Sequence, residues 1–384
     1  MRFIHLSDLH IGKQLHHYSL LEEQKEALKQ VITYVKKEMP DVIVIAGDIY
    51  DTAVPSAEAI MVFNDFLTEL DSLEEKLTIC VIAGNHDSAR RLDYARDILA
   101  KHDIHIVGMP PINAEEGVYK VYQKDSYGEV VFYLLPFVKP AYLKRLFPEE
   151  TFGFSEAVQK LLEREHLDKK KRNILVSHQF YAGSGVTPET SDSELHMAGG
   201  IDNVEMSVLE PFDYAALGHI HRSQKIGAEK NQYCGTIFPY SVSEADEEKY
   251  VTFVDLQEKG KEPVITKLPL KLSRKVRKLK GTMEEILSLA QGGICDDYVS
   301  ITLTDDIETA HPREMLEERY RHILEIRIDN ARTRKLLEFG EMEMENLAPY
   351  EAFCSFFEEL NGRKMTEEED EVLKDVLREG GGME

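Results

Sequence analysis

Several stretches of this 384-residue chain place Asp, Asn or His directly after a run of apolar residues. Carboxylate, imidazole and amide groups of this kind bind divalent cations or transfer protons. Each motif is weak by itself, because a buried His is more often a hydrogen-bonded core residue than a ligand. Their joint occurrence, each after an apolar run, predicts one metal centre. The side chains are Asp8, His10, Asp48, Asn85, His86, Asp87, His178, His219 and His221.

The chemistry that fits such a centre is phosphoryl transfer. Two divalent ions about 3.5–4 Å apart can hold both the attacking and the leaving oxygen, so that no protein nucleophile is needed. One carboxylate must bridge the ions, and Asp48 is the natural bridge because Gly47 leaves room beside it. Mixed oxygen and nitrogen ligands suit Mn²⁺, Fe²⁺ or Zn²⁺ better than Mg²⁺.

The two residues that follow Asn85 extend the predicted site. His86 could donate a proton to the leaving oxygen or stabilise charge in the transition state. Asp87 could orient the His86 ring through a hydrogen bond, or could cap a helix beginning at Ser88. Both interpretations of Asp87 remain open.

The elements that must position these groups are buried strands joined by helices. Apolar runs with Val and Ile precede the polar residues, and amphipathic helices are predicted before Pro40 with an apolar face from Leu21 to Val35, after Pro55 and from Ser88 to Leu99. This βαβαβα start predicts a mostly parallel sheet. Segments 118–122 and 130–135 indicate a hairpin, and 181–205 is expected to be a long, functional loop.

Composition limits the possible classes of protein. No apolar run approaches the roughly 20 residues of a membrane span, and no signal peptide is evident, so a cytoplasmic protein is expected. The four cysteines lack paired spacing and are expected to be reduced. The net charge of −24 argues against nucleic-acid binding. That charge is uneven, however, since 169–172 and 271–280 are basic and the segment after 331 is rich in Glu.

The last third of the chain predicts two further parts. Alternating helices and strands over 271–330 indicate a small α/β unit, and 331–346 is expected to be a linker. Two tail helices are predicted over 349–360 and 367–378, the second with a capping box from Thr366 to Glu369. Their apolar residues are too few for an independent core, so a partner surface is expected to cover them.

The motifs Asp8-x-His10, Gly47-Asp48, 84–87, His178 and 218–221 resemble the signature of the calcineurin-like metallophosphoesterase superfamily. Residues 5–12, 19–24 and 47–51, together with the apolar pattern over 353–377, resemble a narrower family. This is the family of nuclease subunits of bacterial SbcC–SbcD complexes, the counterparts of the archaeal and eukaryotic double-strand-break repair nuclease.

The resemblance implies which side chains hold which ion. One ion would be held by Asp8, His10, Asp48 and His221, and the other by Asp48, Asn85, His178 and His219. His86 would take the catalytic role. Archaeal and eukaryotic relatives carry a second functional His where this chain has Asp51. Asp51 would either help to position a proton near the phosphate or cap the next helix, and the cap is favoured.

The resemblance also implies an α/β (layered α+β) architecture. A β-sandwich nuclease domain flanked by helices would span 1–270, a small α/β capping domain would span 271–330, and 331–384 would hold the linker and a helical partner-binding segment. That segment would bind an SbcC-type ATPase. Helices after Pro55 and Ser88 would pair in a homodimer within a heterotetramer, or would simply cover the sheet.

The implied function is that of a nuclease that depends on two divalent ions, with Mn²⁺ as the expected metal. It would cut double-stranded DNA from its ends and single-stranded or hairpin DNA internally, in DNA repair, recombination and replication at the nucleoid. One alternative is a stand-alone metallophosphoesterase acting on small or protein phosphoesters. The other is a non-catalytic scaffold on the same fold, which would bind no transition metal.

Overall fold

The computed structural model describes the chain except residues 74–75, 184, 195–201, 246, 291–292, 306–310, 331–349, 352, 355–356, 359–362 and 380–384. The described chain divides into two compact units. The first comprises Met1–Lys278 and Asp296–Ser300, and the second Leu279–Cys295 and Ile301–Glu384. The domain boundaries at 270 and 330 remain predictions.

The first unit contains two six-stranded sheets. The first sheet has the strands β1 (Arg2–Leu6), β4 (Val42–Ala46), β5 (Thr78–Ile82), β6 (Ile104–Val107), β15 (Tyr250–Asp255) and β16 (Val264–Pro269). The second has β7 (Tyr119–Asp125), β8 (Gly128–Leu135), β9 (Arg172–His178), β12 (Tyr214–Gly218), β13 (Gln224–Ile226) and β14 (Ala228–Tyr233). Short pairs are β2 (Gln14–Leu15) with β3 (Tyr18–Ser19), and β10 (Phe180–Ala182) with β11 (Asn203–Glu205).

The strand order is β16-β15-β1-β4-β5-β6 in the first sheet and β13-β14-β12-β9-β8-β7 in the second. β1, β4, β5 and β6 run parallel, whereas β15 pairs antiparallel with β1. β8, β9, β12 and β14 are also parallel to one another. The predicted hairpin is confirmed, because β7 and β8 pair antiparallel across Asp125 and Gly128.

Alternation of side chains along the strands explains why these strands are apolar throughout. In β4, Val42, Val44 and Ala46 join a core cluster that contains side chains from both sheets. Ile43 and Ile45 point the other way and pack in the cluster that includes residues of the helices on the first sheet. A third cluster lies on the outer side of the second sheet. Successive residues of a strand point to opposite faces, so a strand between two cores must be apolar at every position.

The helices of the first unit are α1 (Leu21–Glu38), α2 (Ala57–Asp71), α3 (Ala89–Leu92), α4 (Arg96–Leu99) and α5 (Phe154–Glu163). The single helix predicted from Ser88 to Leu99 is wrong, because two short helices stand there. Ala95 has a φ of 62°, in the left-handed region, and Asp93 accepts a hydrogen bond from Gly108 N at 2.8 Å. The hydrogen bond from Gly108 therefore helps to end α3, although the apolar spacing alone predicts that this helix continues.

The remaining elements are strands β17 (Val276–Gly281), β18 (Cys295–Leu303) and β19 (Tyr320–Ile328), in one sheet of that order, and helices α6 (Met283–Leu289) and α7 (Pro312–Glu317). Helix α6 is one of the helices expected within 271–330, and Thr282 caps it by accepting from Glu285 N. No helix among the described residues is long and apolar enough to cross a membrane.

The tail is described in part. Helix α8 (Glu367–Glu379) begins after Thr366, whose Oγ1 accepts from Glu369 N while Glu369 Oε2 accepts from Thr366 N. The predicted capping box is thus confirmed. The predicted linker 331–346 lies outside the described residues, as do several residues of the predicted helix 349–360.

One ion pair, between the buried Arg172 and the partly buried Asp125, links the second sheet to the residues that follow β15. Arg172, 1% exposed, donates to Asp125 Oδ2 at 3.0 Å and to the carbonyl oxygens of Gly128, Leu256 and Gln257. Burial opposes the charged form of Asp125, but hydrogen bonds from Arg172 and then from the amino terminus of Met1 outweigh it and lower the pKa to about 2. The pair therefore stabilises the folded state only while Asp125 is ionised.

We predict that Asp125→Asn lowers the free energy of unfolding by about 3 kcal/mol, because the Arg172 charge is left buried without its counter-ion. In the parent chain this stabilisation is complete above the ordinary pKa of 3.8 and is lost as the pH falls towards about 2. Urea unfolding between pH 7 and pH 2 measures both effects. Asp97→Asn, at a side chain 94% exposed, is the control and should change stability by less than about 0.5 kcal/mol. An Asp125→Asn chain with the parent's stability at pH 7 would contradict the prediction.

Candidate metal centre

The polar residues predicted from sequence follow the carboxyl ends of strands from both sheets. Loops after β1 and β4 are joined, since Asp8 N donates to Gly47 O at 2.9 Å and His10 N donates to Asp48 O at 3.0 Å. The second sheet is joined to them by His219, which follows β12 and donates its backbone N–H to the Asp8 carboxylate at 3.0 and 3.1 Å. Asp8 therefore links the two sheets at this edge.

The backbone is strained at the predicted ligands. Four of them adopt φ in the left-handed region: Asp8 at 51°, His10 at 42°, Asp48 at 50° and His219 at 97°. Such conformations cost about 1–3 kcal/mol each for residues other than Gly and persist only where the surroundings hold them. The hydrogen bonds between the loops supply that constraint. Clustering of strain at one site indicates function rather than packing.

Two glycines allow the loops to approach. Gly47 has a φ of 92°, and a Cβ there would lie 2.3 Å from His178 Nδ1. A Cβ on Gly84 would lie 2.1 Å from Asp48 Oδ1. Both distances are far inside van der Waals contact. The room that the sequence predicted beside Asp48 is thus used by Asp48 itself and by the ring of His178.

One group of potential ligands consists of Asp8, His10 and His221, all buried, with ligand atoms within 4.8 Å of one another. The Nε2 atoms of His10 and His221 lie 3.2 Å apart. His221 Nδ1 is 2.7 Å from Ser193 Oγ, and Asp51 Oδ1 lies 3.6 Å from His10 Nδ1. With a proton on His221 Nδ1, the Nε2 lone pair of His221 faces His10 Nε2, an arrangement that a cation between the two rings would stabilise.

A second group consists of Asp8, Asp48 and His178. His178 Nδ1 lies 2.7 Å from Ala46 O, and because a carbonyl oxygen only accepts, Nδ1 carries the proton. Nε2 then faces Asp48 Oδ2 at 3.3 Å and Asn85 Oδ1 at 3.0 Å. His219 Nδ1 lies 2.9 Å from the same Asn85 oxygen. The structure therefore brings all seven predicted ligands together.

Asp48 lies between the two groups. Its Oδ2 is 3.3 Å from His178 Nε2 and 3.7 Å from His10 Nε2, while Oδ1 accepts from His86 N at 2.8 Å. One oxygen within reach of ligands from both groups is the geometry that a bridging carboxylate requires. The donor set of carboxylates, imidazoles and one amide fits two divalent ions of the Mn²⁺, Fe²⁺ or Zn²⁺ kind.

The electrostatics indicate that this site needs positive charge. Burial disfavours a protonated His178, but the charge of Asp48 and a hydrogen bond to it prevail and raise the pKa to about 9. Burial likewise opposes the charge of Asp48, but His178 and then His10 lower the pKa of that carboxyl far below its usual value. In the chain without metal, protons on imidazoles therefore balance the carboxylate. A divalent cation would displace them.

Hydrogen bonds hold both the backbone and the ring of His86. Its backbone N–H donates to Asp48 Oδ1, and its Nδ1 donates to Asp51 O at 2.8 Å, so Nδ1 keeps a proton and Nε2 is the nitrogen left to accept and release one. The ring packs edge-on against His10, with centroids 4.8 Å apart. The geometry is compatible with the predicted acid–base role.

The sequence favoured Asp51 as the cap of the next helix, but this prediction is wrong. Ser56 caps α2 by accepting from Ala59 N. The Asp51 carboxylate instead accepts from Lys13 Nζ at 2.9 Å and faces His10 Nδ1. Burial opposes its charge, but the contacts with His10 and Lys13 lower its pKa to about 2. Asp51 is therefore an anion that favours the proton on His10 Nδ1.

Asp87 adopts neither role left open by the sequence. Its oxygens accept from the backbone N–H groups of Gly84, Ile49 and Tyr50 at 2.9–3.1 Å. It has no hydrogen bond to the His86 ring, and α3 has no side-chain cap among the described residues. Burial, followed by the Asp48 charge, raises the pKa of Asp87 to about 6. Asp87 thus fixes the loops after β4 and β5 relative to each other.

Sequence reasoning missed several residues that brace the site. Gln24 of α1 donates to His10 O at 2.7 Å and to Leu9 O at 3.1 Å, and accepts from Gly12 N at 3.0 Å. The available signal was that Gln24 falls at helical spacing between Leu21 and Leu28, on the apolar face of the predicted helix. Around His221 stand Ser193, Glu194 and Glu244, which no local motif marked.

Comparison with family models gives two matches. A model described as calcineurin-like phosphoesterase matches residues 1–223. A second model, named SbcD_C and described as type 5 capsule protein repressor C-terminal domain, matches residues 273–361. The second match begins just after β16, and strands β13 to β16 lie between the two matches.

A curated relative matches almost from end to end. The SbcD subunit of the nuclease SbcCD from Staphylococcus epidermidis (strain ATCC 12228 / FDA PCI 1200) is 28% identical over 382 residues, which cover 98% of both chains. The narrower resemblance noted in the sequence is thereby confirmed.

Among solved structures, a dimetal phosphatase from Danio rerio is 14% identical with a TM-score of 0.43, covering 71% of this chain and 98% of that chain. Plasmodium GAP50 is 15% identical with a TM-score of 0.41, covering 71% and 89%. These TM-scores are too low to support an argument.

The family model spans more than half of the chain, and the strands and loops within it carry most of the site just described: this chain belongs to the calcineurin-like phosphoesterase family.

Proposed function

We propose that this chain is a metal-dependent nuclease that hydrolyses DNA phosphodiesters as the catalytic subunit of a complex with an SbcC-type ATPase. The observation that carries the proposal is the pairing of a two-centre ligand set around Asp48 with similarity over 98% of an SbcD nuclease chain. The activities are cutting of double-stranded DNA from its ends and of single-stranded or hairpin DNA internally, in repair, recombination and replication at the nucleoid.

Two divalent ions, with Mn²⁺ as the expected metal, would stabilise the phosphoryl oxygens as Lewis acids and would activate a water molecule. Their ligands fall into two sets that share Asp48. The first set is Asp8, His10, Asp48 and His221, and the second is Asp48, Asn85, His178 and His219. The Asp51 carboxylate, 3.6 Å from His10 Nδ1, favours a proton on that nitrogen through its charge. His86 offers Nε2 for proton transfer at the leaving oxygen, because Asp51 O holds its other nitrogen.

Positive charge beside the site supports an extended anionic substrate. Arg90 and Arg145 line a cavity of about 400 Å³ that also contacts Asp87 and Ser88. Both arginines are exposed, and within the described part of the chain neither has a carboxylate partner within 4 Å. Phosphates flanking the reacting bond would be bound there. A chain with net charge −24 still needs further cations along the DNA, which the ATPase partner would supply.

A homodimer within a heterotetramer is supported by exposed apolar side chains around α2, α3 and α4. Ile60 and Met61 are 47% and 55% exposed, and Tyr94 and Ile98 are 83% and 64% exposed. The other face of α2 packs on the first sheet through Val62, Phe63 and Phe66. These helices therefore cover the sheet and still leave an apolar surface suited to a second copy. The tail with α8 is proposed to bind the ATPase.

The function is tested with the purified chain, Mn²⁺ and a DNA hairpin, with and without an SbcC-type partner. We expect cleavage that requires the metal and that the partner with ATP increases. A small phosphoester such as p-nitrophenyl phosphate is the comparison substrate. Brisk hydrolysis of this ester, with the hairpin intact under every condition, would favour the stand-alone phosphoesterase. A chain that purifies without transition metal and binds none would favour the scaffold.

We expect His86→Gln to reduce hairpin cleavage by about 10²–10⁴-fold, the usual contribution of a general acid. Metal content measured by elemental analysis should remain that of the parent. Asp48→Asn is the matched variant and should lose metal as well as cleavage. Loss of metal in His86→Gln would show instead that His86 is a ligand.

The dimer is tested by the double variant Ile60→Glu and Ile98→Glu. Two charges in the apolar surface should convert the chain to a monomer in sedimentation velocity, since burying them would cost several kcal/mol. Val264→Glu is the control, because this side chain is 54% exposed on the edge strand β16. An unchanged sedimentation coefficient in the double variant would refute this interface.

A further inference from the structure

The segment 189–194, here called the strap, lies within the long loop and docks beside His221. At its start, Glu189 N donates to Gln224 Oε1 at 2.9 Å and Gln224 Nε2 donates to Glu189 O at 2.7 Å. Further along, Asp192 N donates to Ser243 Oγ at 3.0 Å. Two segments of chain outside the strap therefore fix its course.

Ser193 of the strap bridges a metal-site imidazole and a buried carboxylate. Its Oγ lies 2.7 Å from His221 Nδ1 and 2.7 Å from Glu244 Oε1. The direct distance from His221 Nδ1 to Glu244 Oε1 is 3.8 Å, which is too long for a hydrogen bond. The serine hydroxyl fills that gap.

The direction of the hydrogen bonds follows from the carboxylate. Glu244 is fully buried and contacts Lys249 Nζ at 2.7 Å, so it is an anion that only accepts. Ser193 must donate to Glu244, and its lone pair then accepts the Nδ1 proton of His221. This order leaves His221 Nε2 unprotonated and facing His10 Nε2 at 3.2 Å. A His that binds metal through Nε2 needs this tautomer.

The next residue of the strap holds the backbone of the same histidine. Glu194 Oε1 accepts from His221 N at 2.6 Å, and its carboxylate also accepts from Ser191 N at 3.2 Å. Consecutive strap residues thus bind the ring and the main chain of His221. A cluster that served the fold alone would not require a hydroxyl between the carboxylate and this particular nitrogen.

We propose that the strap completes the metal centre: Ser193, oriented by Glu244, positions His221 for ligation, and Glu194 sets its backbone. These three are positioning residues, not catalytic ones. The inference rests on the proposed metal-dependent function, but it concerns metal affinity rather than the substrate.

The test is titration of the metal-free full chain with Mn²⁺ by calorimetry. Ser193→Ala should weaken one of two ions by about 10–100-fold, the usual effect of removing a partner of a ligating His, and leave the other ion within about twofold. Ser193→Thr keeps the hydroxyl and should restore the affinity. Ser223→Ala is the matched control, since the buried hydroxyl of Ser223 has no hydrogen bond among the described residues.

A second arm separates positioning from general loosening of the fold. In a His221→Ala background, Ser193→Ala should cause no further loss of Mn²⁺ affinity, because its effect passes through the ring. Equal weakening of both ions, unchanged affinity, or the same loss in the His221→Ala background would overturn the inference. Because the readout is binding, a chain that fails to cut DNA but shows the Ser193 effect would refute the proposed nuclease alone.

Discussion

The structure depends on a concentration of acceptor atoms at one edge of two packed sheets. Asp48 places one carboxylate oxygen 3.3 Å from His178 Nε2 and 3.7 Å from His10 Nε2, while His10 and His221 face each other through Nε2 at 3.2 Å. Lone pairs so close together repel unless protons or cations lie between them. The chain without metal meets this need by protonation, which is why the pKa of His178 is raised. Divalent cations would satisfy the same requirement and would displace those protons.

Keeping these atoms together requires a rigid frame, and the sandwich provides it. The strands that carry the ligands have apolar side chains on both faces, and those side chains join the clusters between and outside the sheets. That packing opposes the backbone strain at Asp8, His10, Asp48 and His219. Hydrogen bonds then align the loops, since Asp87 binds three backbone N–H groups and Gln24 binds three backbone groups of the loop after β1. The packed core and these hydrogen bonds together therefore keep the side chains of the site in fixed positions.

Much of this arrangement was predictable from sequence. Apolar runs ending in polar residues predicted the strands and a metal centre at their ends, because parallel strands bring their carboxyl ends to one edge. The choice of seven ligands among those polar residues came from the resemblance to the family. Where prediction failed, a distant contact was the reason. The helix from Ser88 is interrupted because Asp93 binds Gly108 and Ala95 takes a left-handed φ. Asp51 was expected to cap a helix, but Ser56 does so and leaves Asp51 to face His10.

The sequence by itself determined the kind of chemistry, since residue types, their order and their place after apolar runs are local properties. Only the tertiary structure decided which nitrogen of each histidine is free to bind. That choice depends on partners far along the chain, such as Ala46 O for His178, which is 132 residues away, and Ser193 with Glu244 for His221. No local pattern encodes such partners, because they meet only when the two sheets pack and the strap docks.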